Sequence, residues 1–412
     1  MRKQFVRILT IFLICIMIVE VAVADEAVNI YLSEGNEKIY TVTGDKSQLP
    51  ELLSQSAIVV DMKTGYTLVE KNVKDKLYPA SITKIMTAIL TLENAKLDDV
   101  VTFSAEAVFS IEENSSAAMV DVDERLTVEQ CLYGLMLISG NDLANGLAEH
   151  VGGNMTTFAN MMTNKAEELG CLNTNFTNAH GLHDSNHYTT AYDMAIIAKY
   201  AYEQAKGTYK NGSGQELTFA TLCSTGYYEC QPTNKQPEVR KWRNNNRLIN
   251  KYETHFYEDC IGGKTGYTNK AGGTLVTFAE INGRLLMCVV MKSDNSLSAY
   301  ADTTNLYNYV KEKVGQDVYT KLEEDYAKKQ ESGEKQTVSS SNVTNPKDNS
   351  STEKGNEQED DGMWIGWKIL ILAVTVFIIY YVYVQYMRYK KRQRRREMRR
   401  RRRMEEEQRY RR

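Results

Sequence analysis

Ser81 and Lys84 stand three residues apart in the string Ser81-Ile82-Thr83-Lys84, a spacing that puts both side chains on one face of a helix. A serine hydroxyl is a weak nucleophile until an adjacent base takes its proton. A lysine amine is such a base only where burial or a neighbouring cation depresses its pKa. The pair therefore points to acyl-enzyme chemistry, provided the fold supplies a dry pocket and a second cation. Alone it carries little weight: at average composition roughly one or two such strings arise by chance in a chain this long. A serine at a helix start usually serves only to satisfy free backbone N–H groups.

Two further strings follow. Ser139-Gly140-Asn141 falls between two helical stretches, where an exposed turn can aim a hydroxyl and an amide into a cleft, although these are ordinary turn residues too. Lys264-Thr265-Gly266 follows Gly262-Gly263 and leads into a strand pair. Glycines at a sheet edge admit another backbone, as when a peptide lies along it, and Lys264 and Thr265 would then offer donors to a carboxylate. Two decoys exist: Lys63-Thr64-Gly65 precedes Ser81 and reads as a hairpin turn, and Ser293-Asp294-Asn295 follows Lys264. Only one set keeps the order S-x-x-K, S-x-N, K-T-G, an order associated with penicillin-binding proteins and β-lactamases.

The elements that must hold these strings are legible from periodicity. Ser56 to Asp61 and Tyr66 to Glu70 read as strands around a turn at 63–65. A helix is expected from Ser81, with Ile85, Met86, Ile89 and Leu90 on its buried face. Thr127 and Gln130 form a capping box for a helix to Ile138. Others run from Asp142 to Gly152-Gly153, from Thr156 to Leu169 before Gly170, and from Thr190 to Glu203. Gly273 to Glu280 and Arg284 to Met291 are strands joined by Asn282-Gly283, a hairpin signal, and a helix from Leu297 to Val314 closes the domain. Strands at both ends of a helical run predict an α/β fold: an antiparallel sheet whose first and last strands meet, flanked by helices.

Both ends of the chain read as membrane-related. Arg2, Lys3 and Arg7, the apolar stretch Ile8 to Val19 and Ala22-Val23-Ala24 form an export signal over 1–24. The catalytic domain is expected over 25–326 and a polar stalk over 327–362, too poor in apolar residues to fold. Residues 363–387 would span about 37 Å as a helix at 1.5 Å per residue, enough to cross a bilayer. Trp364 and Trp367 flank one end, and Tyr380, Tyr381, Tyr383 and Tyr386 the other. The tail 388–412 holds 15 Lys/Arg against 4 Glu, while the whole chain carries −3. A basic tail directly after an apolar run indicates anionic lipid at the cytoplasmic surface rather than nucleic acid. That orientation leaves the domain outside the cytoplasm. Seven cysteines contain no C-x-x-C pair, and the histidines lack zinc-ligand spacing, so no metal or cofactor is implied. Most of the thiols are read as small buried hydrophobes. Cys223 and Cys230, in a polar stretch, are the one pair suspected of bridging.

From about Ser56 to Val314 the chain resembles the serine-type D-Ala-D-Ala carboxypeptidases, the low-molecular-mass penicillin-binding proteins. The resemblance rests on Tyr78-Pro79-Ala80-Ser81-Ile82-Thr83-Lys84-Ile85-Met86-Thr87-Ala88, Ser139-Gly140-Asn141-Asp142-Leu143-Ala144, Asn178-Ala179-His180-Gly181-Leu182 and Gly262-Gly263-Lys264-Thr265-Gly266-Tyr267-Thr268. It implies that Ser81 attacks the bond between the terminal D-alanines of a peptidoglycan stem peptide. By the same resemblance, Lys84 takes the proton, kept neutral partly by Lys264, and Ser139 relays a proton to the leaving D-alanine. Asn141 would orient Lys84 and the substrate amide, Thr265 with Lys264 would bind the terminal carboxylate, and the N–H groups of Ser81 and Tyr267 beside Gly266 would form an oxyanion hole. β-Lactams would acylate the same serine.

There are departures. An arginine common in the family beyond the third motif is missing from 292–302, where Lys292 is the only base. The second, all-β domain of many relatives is not expected here, and a spanning segment replaces an amphipathic anchor. A β-lactamase would need a further base for deacylation, and no Glu-x-x-Leu-Asn string lies between Ser139 and Lys264. An endopeptidase or transpeptidase acting on cross-links would share all three motifs. A non-catalytic wall sensor is disfavoured by intact Ser81, Lys84 and Lys264.

Overall fold

The computed structural model describes residues 30–33, 39–44, 47–210 and 214–332. The expected export segment, spanning segment and basic tail lie outside these residues, as does most of the expected stalk. Among the described residues no helix is long and apolar enough to cross a membrane. The chain divides into two compact units after Ser339, and every described residue belongs to the first.

In chain order the first elements are β1 (Ile39–Thr41), β2 (Ser56–Asp61), β3 (Thr67–Lys71), a 3-10 turn (Ala80–Thr83), α1 (Lys84–Asn94), β4 (Val100–Thr102) and α2 (Ala105–Phe109). There follow β5 (Arg125–Thr127), α3 (Val128–Leu137), α4 (Asn141–Gly152), α5 (Met155–Glu168) and α6 (Ala191–Gln204). Next come β6 (Lys206–Thr208), β7 (Glu216–Thr218), α7 (Phe219–Ser224), β8 (Tyr227–Cys230), β9 (Arg240–Arg243) and a second 3-10 turn (Arg247–Ile249). The chain then runs through β10 (Cys260–Thr268), β11 (Gly272–Ile281), β12 (Arg284–Ser293), α8 (Ser296–Lys313) and α9 (Gln316–Ser332).

The main sheet has six strands in the order β1-β3-β2-β12-β11-β10, all antiparallel. The expected meeting of early and late strands is the β2–β12 pairing, with Ile58 opposite Val289. Strand alternation splits the core between the two faces. Ile58, Val60, Met287 and Val289 pack with Ile85, Ile89 and Ile197 of α1 and α6. Ala57, Val59, Leu286 and Cys288 pack with Leu306, Tyr307 and Val310 of α8. The β11–β12 hairpin closes through Asn282 and Gly283, at φ 54° and 75°, the pair of left-handed residues that a two-residue turn between twisted strands requires. Thr127 and Gln130 complete the capping box of α3.

Three expectations need correction. Ser81 lies in a 3-10 turn entered through a left-handed Ala80 at φ 51°, and the α-helix begins only at Lys84. The polar stretch does not open a stalk at Ala327, since α9 continues to Ser332. Its Tyr319 is buried against the domain, and Arg284 links Glu323 to Asp61, at 2.5 Å and 2.7 Å. Finally, Cys223 and Cys230 are both free and buried, so the suspected bridge is not formed.

Candidate active site

The turn that carries Ser81 is shaped from three sides. Thr274 Oγ1 donates to the Pro79 carbonyl at 2.8 Å. Gly181, at φ 86°, passes so close that a Cβ there would stand 1.8 Å from the Ala80 carbonyl oxygen. A Cβ on Gly266 would stand 2.8 Å from the Ser81 nitrogen. Gly266 and Gly181 are thus required by close approach to the backbone of Ser81 and of Ala80 respectively.

Lys84 opens α1 and is fully buried. Its Nζ lies 3.2 Å from Ser81 Oγ, 2.7 Å from Asn141 Oδ1 and 2.7 Å from the His180 carbonyl oxygen. The last two are acceptors only. A neutral amine has two N–H bonds and one lone pair; in that state these oxygens would take the hydrogens and leave the lone pair for the serine hydroxyl. Burial pushes the Lys84 pKa well below that of an ordinary amine, the Lys264 cation lowers it further, and Asp142 opposes the shift. Lys264 is also buried, its Nζ donating to the Thr265 carbonyl at 2.9 Å. Burial brings its pKa down to about 7.

Ser139 sits at φ 62° at the start of the turn between α3 and α4. It is buried, and its Oγ has no hydrogen-bond partner among the described residues. A buried hydroxyl left unpaired is costly, which marks Ser139 as reserved for something that enters the site. Asn141 is the first residue of α4. Its neighbour Asp142 accepts from the backbone N–H groups of Ala118 and Val120, at 2.9 Å and 3.2 Å. That clamp holds the rim loop on which Asn114, Ser115 and Ser116 line the site.

The strings converge on one cleft of about 600 Å³, lined by Ser81, Ser139, Asn141, Thr265, Gly266 and Tyr267 among others. Lys84 and Lys264 lie beneath it. Both decoys are structural. Thr64 Oγ1 donates to Asp61 Oδ2 at 2.6 Å in the β2–β3 turn. Ser293 Oγ is hydrogen-bonded to Ser54 Oγ at 2.6 Å, while Asn295 caps α8.

Sequence reasoning missed several residues. The Thr83 hydroxyl is hydrogen-bonded to His187 Nε2 at 2.8 Å, and His187 Nδ1 accepts from Thr177 N at 3.0 Å. Burial lowers the His187 pKa to about 4, so the ring is neutral; with Nδ1 accepting, Nε2 carries the hydrogen. A lone histidine far along the chain gave no signal for this. Arg243 and Arg247 also line the cleft, although no motif contains them. Among the described residues no group of three or more His, Cys, Asp or Glu is arranged to hold a metal.

Comparison with known proteins agrees with this geometry. The profile of a family described as D-alanyl-D-alanine carboxypeptidase (peptidase family S11) matches residues 43–295. D-alanyl-D-alanine carboxypeptidase DacF of Bacillus subtilis (strain 168) is 32% identical over 263 residues, which are 62% of this chain and 61% of that protein. D-alanyl-D-alanine carboxypeptidase of Streptomyces sp. (strain K15) is 30% identical over 272 residues, 63% of this chain and 88% of that one. The solved Streptomyces K15 DD-transpeptidase aligns with a TM-score of 0.56 at 30% identity, covering 63% of this chain and 97% of that chain. A D-alanyl-D-alanine carboxypeptidase structure from Mycobacterium tuberculosis H37Rv aligns at 0.55 and 27% identity, covering 63% and 92%. The chain spans about three-fifths of the length of the Bacillus relative.

Proposed function

The chain belongs to the D-alanyl-D-alanine carboxypeptidase family, and from that premise we propose that it removes the terminal D-alanine from peptidoglycan stem peptides through an acyl-enzyme on Ser81. One observation carries this reading: the buried Lys84 Nζ donates to two acceptor-only oxygens, Asn141 Oδ1 and the His180 carbonyl, at 2.7 Å each, and the Ser81 hydroxyl stands 3.2 Å away.

In the proposed reaction the Ser81 Oγ bonds to the carbonyl carbon between the terminal D-alanines while its proton passes to Lys84. The C–N bond then breaks as the unpaired Ser139 hydroxyl relays a proton to the departing amine. Water adds to the ester and regenerates Ser81. Asn141 keeps the Lys84 lone pair aimed at the nucleophile, and Thr265 with Lys264 receives the terminal carboxylate. The N–H groups of Ser81 and Tyr267 form the oxyanion hole, a device typically worth several kcal/mol in the transition state. Gly266, lying against Ser81 N, supports that pairing. β-Lactams would be held by the same groups and acylate Ser81.

A second reading, transfer of the acyl group to an amine or cleavage of cross-links, draws on the solved relative titled DD-transpeptidase. Release of D-alanine from a pentapeptide, measured beside cleavage of a cross-linked dimer, decides between them. Carboxypeptidase function requires the first to dominate. The composition of 1–24, 363–387 and 388–412 supports an exported domain held by one span, with the Arg-rich tail against anionic lipid in the cytoplasm. Protease digestion of intact cells tests this: removal of the tail from outside would reverse the proposed orientation.

A further inference from the structure

Lys84 draws its second acceptor from a segment with no regular structure of its own. Residues 176–187 contain neither helix nor strand. Two bridges, Asn175 with Tyr188 and Leu77 with Thr189, bring the ends of this segment together, the pattern of a compact loop packed by its own side chains. Its tip is tightly turned: Asn178 Oδ1 accepts from Gly181 N at 2.7 Å, and Asn178 Nδ2 donates to the Leu182 carbonyl at 3.1 Å. The tip meets one face of the Ser81 turn and of α1. Gly181 lies against the Ala80 carbonyl, the His180 carbonyl accepts from Lys84 Nζ, and the Ala179 carbonyl accepts from Thr87 Oγ1 at 2.6 Å.

The base of the loop is tied to the same face by one side chain. His187 belongs to the arm that leaves the loop, and its Nδ1 accepts from Thr177 N, on the arm that enters it, at 3.0 Å. Its Nε2 meets Thr83 Oγ1 at 2.8 Å. The ring is 2% exposed and packs edge-on against Phe176 at 5.4 Å. Burial keeps it neutral, so acceptance at Nδ1 leaves the hydrogen on Nε2, which donates to Thr83. Thr83 directly precedes Lys84 and closes the turn that holds Ser81. His187 is not among the residues that line the cleft.

We propose that His187 is a positioning residue for acylation: by pinning both arms of the 176–187 loop to Thr83, it holds the His180 carbonyl on Lys84 Nζ and keeps the amine aimed at Ser81. This rests on the reading of Lys84 as the base that activates Ser81, and adds to it a residue that acts through the loop rather than on the substrate. Without the imidazole, the Thr177 N–H and the Thr83 hydroxyl both lose a partner, and the base of the loop is no longer joined to the turn. A displacement of about 1 Å in a positioned group can cost about 10²-fold in rate.

The test follows acylation of the full-length chain in detergent by a fluorescent penicillin over a range of concentrations, which separates the limiting rate from the half-saturating concentration. His187→Ala should lower the limiting rate roughly 10- to 100-fold and move the half-saturating concentration less than about 3-fold. His187→Gln, whose amide can still donate to Thr83, should recover much of the lost rate. Thr83→Val removes the other end of the pin and should slow the limiting rate in the same way; it carries the test should His187→Ala fail to fold. The double variant should be about as slow as the slower single one, because both remove one connection. A folded His187→Ala protein with the wild-type limiting rate overturns the assignment. So does a loss carried by the half-saturating concentration, a His187→Gln protein no faster than His187→Ala, a Thr83→Val protein at the wild-type rate, or a double variant whose losses multiply. Wild-type protein that takes no label at all would instead overturn the acyl-enzyme reading, and this assignment with it.

Discussion

Gly266 and Ser81, separated by most of the domain in sequence, are in backbone contact: a Cβ on Gly266 would meet the Ser81 nitrogen at 2.8 Å and Thr274 Oγ1 at 2.4 Å. The edge strand β10 is therefore pressed against the turn that carries Ser81, and the space between them is set by the absence of a side chain.

Gly266→Ala should accordingly separate strand from turn without unfolding the sheet. Labelling of the full-length chain by a fluorescent penicillin should slow by at least about 10-fold, the size of effect expected when one oxyanion donor is displaced. Labelling at the wild-type rate would show that the strand yields at no cost.

Ser81→Ala should abolish the penicillin adduct altogether, and Lys84→Met should nearly do so. Methionine fills a similar volume and needs no hydrogen bonds, so the fold should persist. Loss of the base should slow acylation by about 10²- to 10⁴-fold. An adduct on the Ser81→Ala protein would mean that another residue is the nucleophile.

Lys264 predicts a pH dependence of stability. Its folded pKa is depressed to about 7, against about 10.4 for an unfolded lysine. Between these values the unfolded chain binds more protons, so the destabilisation from this residue is full below about pH 7 and is relieved as pH rises toward 10. Lys264→Met should therefore gain stability over wild type at pH 6, on the order of a few kcal/mol, and lose most of that gain by pH 10. Urea denaturation at both values measures it; a gain that grows with pH would have the wrong sign.

The ion pairs under α9 should be unequal. Arg284 donates to the fully buried Asp61 at 2.7 Å and to Glu323, which is 37% exposed. Arg284→Ala leaves a buried carboxylate unpaired and should cost about 3–5 kcal/mol, whereas Glu323→Gln should cost less than about 1 kcal/mol. Equal costs in denaturant titrations would mean that the helix contact, rather than Asp61, dominates.

How much of this was legible beforehand varies with the range of the interaction. The β11–β12 hairpin, the capping box at Thr127 and the helix stops at Gly153 and Gly170 depend on neighbouring residues, and their signals stand in the chain itself. The helix α9 gave no readable signal because its stability comes from distant partners: Arg284 for Glu323, and the Tyr31 and Tyr66 rings beneath Lys329. A polar composition reads as unfolded until those partners are known.

For the site, the order of the three strings determined which serine, lysine and glycine belong together, because each string carries its own chemistry at fixed local spacing. Tertiary structure alone decided the rest. It set Asn141 Oδ1 and the His180 carbonyl against Lys84 Nζ, held Thr83 against His187, and placed Arg243 and Arg247 along the cleft. Hydrogen-bond saturation and burial are properties of surroundings assembled from remote segments, and no spacing along the chain encodes which segments those will be.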